Sequence, residues 1–134
     1  VRKILVLVLV GLVGVATSVA GVAQADHHES IKGKAAVRIT QVIDNPATSC
    51  ITLRIDLKGW KLYPGQIGDL VNQSDGGHFH VYVNGQYWTV GANPDRGRAC
   101  GLERGKTYQM QIVLAYDDHT EIAARSQLVS AILP

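Results

Sequence analysis

Five histidines stand in this 134-residue chain, and they fall in two places: His27 and His28 near the start, and His78, His80 and His119 in the body. The body group opens with a His-x-His pair. In Gly77-His78-Phe79-His80-Val81-Tyr82-Val83-Asn84-Gly85 the apolar residues Phe79, Val81 and Val83 recur with period two. One strand face is therefore apolar and the other displays His78, His80, Tyr82 and Asn84. At about 3.3 Å per residue, residues two apart have Cα atoms roughly 6–7 Å apart, so both rings can turn onto one ion. If the later strand containing Tyr108 and Leu114 lies beside this one, His119 at its end brings a third imidazole. Three nitrogens with a fourth position left for water is the ligand count of open zinc sites. Imidazole also suits copper and nickel, so ligand type alone does not choose the metal. Asp75, Asp117 and Asp118 are the nearby carboxylates expected to accept from a ring N–H. The plainer alternative is a solvated His pair beside Tyr82, with His119 an ordinary turn residue.

A second nitrogen-rich site depends on processing. Arg2 and Lys3, the apolar run from Ile4 to about Val15 and the small residues at Ala23-Gln24-Ala25 have the layout of a secretory signal peptide. The apolar run is shorter than the roughly 20 residues of a membrane span. Residues 1–25 are thus expected to be removed, leaving a polar tail over 26–34 and one domain over 35–134. Cleavage after Ala25 would make Asp26-His27-His28 the new terminus. Its amine, two backbone amides and the His28 ring would form the planar nitrogen set that Cu(II) or Ni(II) prefers. Cleavage after Ala20 removes that possibility. Arg2 and Lys3 also account for the excess of 13 basic over 11 acidic residues, so the mature chain is balanced. No basic track remains to bind nucleic acid, and no further hydrophobic segment suggests a membrane span. Cys50 and Cys100 are the only cysteines. In an exported chain they are expected to pair, closing a long loop and stabilising the fold by about 2–4 kcal/mol.

The elements that must position the histidines read as strands. Asn84-Gly85 is the dipeptide preferred by a two-residue type I′ turn, so the His-x-His strand should return through Gln86 to Val90 as a hairpin. Ile51, Leu53, Ile55 and Leu57 alternate with Thr52, Arg54 and Asp56. Tyr108, Met110, Ile112 and Leu114 alternate with Gln109, Gln111, Val113 and Ala115. An earlier strand is expected from Ala35 to Ile43 and a closing one from Gln127 to Leu133, with Leu128, Val129, Ile132 and Leu133 as burial candidates. Gln66 to Gly77 reads as a loop with at most a short strand. Short strands broken by Gly and Pro turns, without a helical period, predict an all-β, immunoglobulin-like antiparallel β-sandwich, with a small β-barrel as the alternative. Gly105-Lys106-Thr107-Tyr108 looks like the tyrosine-corner entry of such domains. Met110 stands where antibody-type domains carry a cysteine, so a Cys50–Cys100 bridge is not their inter-sheet bond.

The Gly-His-x-His-Val-x-Val-Asn-Gly strand, with Leu102-Glu103-Arg104-Gly105-Lys106-Thr107-Tyr108 and Leu114-Ala115-Tyr116-Asp117-Asp118-His119, resembles a group of poorly characterised secreted bacterial immunoglobulin-like domains. The resemblance covers about the last 60 residues. It implies a sandwich in which His78, His80 and His119 meet, and it leaves the ligand open. Copper–zinc superoxide dismutase also uses a His-x-His strand, but its two-metal site needs about twice the body histidines present here. The function expected is an exported domain that binds or handles one copper or zinc ion. The alternative is a metal-free adhesion or interaction domain meeting an extracytoplasmic partner, for which Trp60, Tyr63, Tyr87 and Trp88 offer aromatic surface. Enzyme chemistry has thin support. Ser126 and Ser130 lack a nucleophile-elbow context, and a zinc-dependent hydrolase would have to find its base in Asp117 or Asp118.

Overall fold

A computed structural model describes residues 34–134. The leader reading of 1–25, the Asp26-His27-His28 site and nearly all of the 26–34 tail lie outside the described residues. Nine strands follow in order: β1 (Ala36–Asn45), β2 (Cys50–Lys58), β3 (Lys61–Leu62), β4 (Gly76–Val83), β5 (Gln86–Gly91), β6 (Gly97–Cys100), β7 (Thr107–Ala115), β8 (Glu121–Arg125) and β9 (Val129–Ile132). One 3-10 turn, Pro46–Thr48, links the first two. The strands form a three-stranded sheet, β1-β2-β6, and a six-stranded sheet, β3-β4-β7-β8, to which β5 pairs along β4 and β9 along β7. The described residues form an all-β sandwich. Ile51 and Leu53 of the small sheet and Phe79, Val81, Met110, Ile112 and Leu114 of the large one share the core without solvent exposure.

Local chemistry accounts for the framework. Asn84 and Gly85 have φ of 52° and 77° and join Val83 to its partner Gln86, as a type I′ hairpin requires. In β1 the alternation of Val37 and Ile39 breaks before Val42. A register shift between Ile39 and Gln41 explains this, because one inserted residue moves the following side chains to the other face. The strand also outruns its expected end. Asp44 and Asn45 still pair with Ile51 and Cys50, and Pro46 then starts the 3-10 turn.

Cys50 and Cys100 are direct cross-strand partners in the small sheet and form a disulfide. The bridge therefore lies within one sheet, consistent with Met110 occupying the other position in the core. The Tyr108 hydroxyl accepts from the Glu103 amide at 2.7 Å and donates to the Glu103 carbonyl at 3.2 Å, the bonding of a tyrosine corner.

Three expectations require correction. In β9, Met110 pairs with Val129 and Tyr108 with Ala131, which turns Val129, Ala131 and Leu133 inward. Leu128 and Ile132 consequently point out, at 61% and 60% exposure. Gly76 and Gly77 belong to β4 rather than to the preceding loop, and Gly76 pairs in parallel with Lys61. A Cβ on Gly76 would lie 2.2 Å from the Lys61 carbonyl oxygen, and one on Gly77 would lie 2.3 Å from that of Ala115. Only glycine lets the strand enter between these neighbours immediately before His78. The four aromatic residues also fail to form one surface: Trp60 is buried against Tyr116, Tyr63 bonds Asp75, and only Tyr87 and Trp88 are exposed.

Candidate metal centre

The antiparallel pairing of β4 with β7 places His78 opposite Ala115 and His80 opposite Val113. Across the next strand pair, Ala115 faces Glu121 and Val113 faces Arg125. Since like-facing residues of neighbouring strands share a surface, His78, His80, Tyr82, Ala115, Val113 and Glu121 all lie on the outer side of the large sheet. That side is nevertheless closed over at this point. Val113 and Ala115 have no exposure, His78 has none and His80 has 5%. The pair is not on a solvated face.

His119 arrives from the β7–β8 hairpin. The Tyr116 amide donates to the Thr120 carbonyl and the His119 amide to the Tyr116 carbonyl, each at 2.9 Å, leaving Asp117, Asp118 and His119 as the loop. The third position of such a loop takes a left-handed conformation, normally given to glycine, and His119 adopts it with φ 67°. The Thr120 amide donates to Asp118 Oδ1 at 2.9 Å, and the Gly68 amide bonds the Asp117 carbonyl at 2.7 Å, fixing the turn.

The three rings meet at one point. His78 Nε2 lies 3.0 Å from His80 Nε2 and 3.2 Å from His119 Nδ1, and His80 Nε2 lies 3.2 Å from His119 Nδ1. Three nitrogens bound at about 2.0–2.1 Å in a tetrahedral shell stand about 3.3–3.4 Å apart, so this triangle differs from a coordinating one by a few tenths of an ångström. The group is close enough to hold a metal ion. His119 is the exposed member of the three, while His78 and His80 are buried.

Glu121, which the sequence alone does not single out, supplies a carboxylate acceptor to His80. His80 Nδ1–H donates to Glu121 Oε1 at 2.8 Å, and the Tyr82 hydroxyl donates to the same oxygen at 2.6 Å. Burial works to raise the Glu121 pKa, but the bonds from Tyr82 and His80 outweigh it and hold the carboxyl below its usual range. A charged Glu121 keeps the His80 proton on Nδ1 and leaves the Nε2 lone pair aimed at the other two rings. Tyr87 packs edge-on against His80, with ring centroids 5.0 Å apart. Asp75 is instead committed to Lys61 and Tyr63, and the Asp117 side chain is buried and accepts from the Gln73 amide. The signal available in the sequence was Glu121 two residues beyond His119, which brings it back onto the same sheet face once the hairpin closes.

Glu121→Gln keeps an acceptor but removes the charge, and Glu121→Ala removes both. Metal affinity measured by competition with a chromophoric chelator is expected to fall about 10-fold in the first and up to about 100-fold in the second. Unchanged affinity in Glu121→Ala would remove Glu121 from the site.

His78 carries a pH prediction. Burial, and then the neighbouring His80 and His119 rings, push its pKa from 6.5 down to about 4. Its Nδ1 is also buried without a hydrogen-bond partner. Between these two pH values the unfolded chain holds a proton that the folded chain does not. Stability is therefore full above about pH 6.5 and declines as pH falls toward 4, by on the order of 3 kcal/mol. Urea unfolding of chelator-treated protein across this range checks the slope, which should flatten in His78→Gln.

No protein-family model matches the chain, and comparison with curated proteins finds no match. Among the described residues no helix is long and apolar enough to cross a membrane.

Proposed function

We propose that this chain is an exported β-sandwich domain that binds one transition-metal ion, copper or zinc, through His78, His80 and His119, and serves to handle or sense that metal. The observation that carries the reading is the triangle of ring nitrogens with edges of 3.0, 3.2 and 3.2 Å on a buried floor. Without an ion, three imidazoles this close must direct lone pairs at one another or trap a proton among them. A dication accepts all three lone pairs. The exposed position of His119 favours exchange of metal with solvent or with a partner's ligand from that side. The leader-like sequence and the Cys50–Cys100 bridge support an oxidising, extracytoplasmic location. A hydrolytic role has weaker support, because Glu121, the carboxylate bonded to His80, already accepts from His80 and Tyr82 and so positions a ligand.

The test is elemental analysis after loading with Zn(II) or Cu(II) and desalting, in a His27→Ala/His28→Ala background that removes the other imidazoles. One tightly held ion per chain is expected. Absence of stoichiometric metal with both ions would overturn the proposal in favour of a metal-free interaction domain.

A further inference from the structure

The outer face of the small sheet carries a second feature, built from residues other than the histidines and independent of the metal proposal. Across its outer face Ile43, Thr52 and Arg98 lie abreast on β1, β2 and β6, since Ile43 pairs with Thr52 and Thr52 with Arg98. They line a trench of about 390 Å³ together with Arg54, Asp95 and Arg96. Arg96 and Arg98 also line an adjoining hollow of about 420 Å³ that ends at Trp88. The two arginines thus line both depressions.

Among the described residues their charge is unanswered. Arg38 meets Asp56 at 3.0 Å, Arg54 meets Gln41 at 2.9 Å and Asp95 at 3.7 Å, Arg104 donates to the Pro46 carbonyl at 2.7 Å, and Arg125 faces Glu121 at 3.6 Å. Among the described residues the guanidiniums of Arg96 and Arg98 have no such partner, although Asp95 lies in the same trench. Each retains a planar fork that fits a carboxylate or sulfate. Trp88 completes the arrangement. Its Nε1–H donates to the Cys100 carbonyl at 3.0 Å, which fixes the indole while 40% of the residue stays exposed. A ring held in place with its polar edge already bonded offers an apolar platform at little entropic cost on binding.

We infer that this trench binds an acidic polysaccharide, with carboxylates of uronic-acid units on Arg96 and Arg98 and a sugar ring laid against Trp88. Two guanidiniums beside a fixed indole match alternating acidic and C–H-rich surfaces of such a chain. An extended acidic peptide fits less well, because it gains most from adding to a sheet edge and Trp88 already takes the Cys100 carbonyl on the edge strand β6. A nucleic acid fits less well again, because two free cations with Asp95 in the same trench give little of the phosphate track on which its binding depends.

Binding of a defined oligogalacturonate to the full chain, followed by Trp fluorescence and calorimetry, tests this. Affinity is expected to be salt-sensitive and to fall about 10-fold or more in Arg96→Gln and in Arg98→Gln. Methyl-esterified oligogalacturonate should bind at least about 10-fold more weakly than the free acid. Trp88→Phe, which retains a ring, should weaken binding less than Trp88→Ala, with melting temperatures recorded to separate this from unfolding. Metal content should not change in any of these variants. No binding of the oligogalacturonate, binding that survives the Arg96→Gln/Arg98→Gln double variant, or equal or tighter binding of polyglutamate or oligothymidylate would each overturn the inference.

Discussion

His80→Ala is expected to lose more than about 100-fold in metal affinity while keeping the fold. The figure is a lower bound, since removing a partner outside the coordination shell already costs roughly 10–100-fold. Two effects combine at His80. One of three ligand nitrogens disappears, and the bond that ties the site to Glu121 goes with it. The backbone at position 80 remains in the ladder with Val113 and Val90, and the core side of β4 is carried by Phe79 and Val81, which the substitution does not touch. Competition titration, with circular dichroism as the control for folding, checks both parts. Wild-type affinity in His80→Ala would contradict the three-ring site.

His119→Gly is expected to separate stability from metal binding. A non-glycine residue in the left-handed region costs about 1–2 kcal/mol, and His119 sits there with φ 67°. Glycine relieves that strain but adds roughly 0.5–1 kcal/mol of backbone entropy to be lost on folding. The chelator-treated variant should therefore fold with stability within about 1 kcal/mol of wild type, or slightly above it. Metal response should differ sharply. Free ion at about a thousand times its dissociation constant stabilises a site by about 4 kcal/mol. For a domain of this size that corresponds to a rise in melting temperature of roughly 15 °C or more. The wild-type chain should show this rise and His119→Gly should lose most of it. Thermal unfolding with and without Zn(II) measures both quantities. A variant that is destabilised by several kcal/mol without metal, or that keeps the full metal response, would show that His119 has another role. Strain retained at a position where glycine is easier is what a ligand, rather than an ordinary turn residue, would maintain.

Much of this was legible in the sequence because β-structure writes its burial with period two. Phe79, Val81 and Val83 against His78, His80 and Tyr82 fixed which face of β4 carried chemistry, and Asn84-Gly85 fixed where the hairpin turned. The tyrosine corner at Tyr108 was readable from its local motif, and the Cys50–Cys100 bridge from the cysteine count in a chain that reads as exported. Other features depend on pairing partners and leave little local trace. The inward face of β9 is decided by Met110 opposite Val129, so Leu128 and Ile132 looked buried by type and are exposed by register. Glu121 became a partner of His80 only because the three-residue loop Asp117-Asp118-His119 returns β8 beside Ala115. Asp75 and Asp117, carboxylates the sequence suggested, are drawn away by Lys61, Tyr63 and the Gln73 amide. Gly76 and Gly77 looked like loop residues and are instead the close approach that lets β4 enter the sheet before His78.

X-ray absorption spectroscopy on the metal-loaded protein, in the His27→Ala/His28→Ala background, tests the central claim most directly. Three imidazole nitrogens at about 2.0–2.1 Å with one further light-atom ligand, reduced in imidazole count by His80→Ala, is the predicted result. A metal bound with one imidazole or none, or with a spectrum unchanged by His80→Ala, would contradict it.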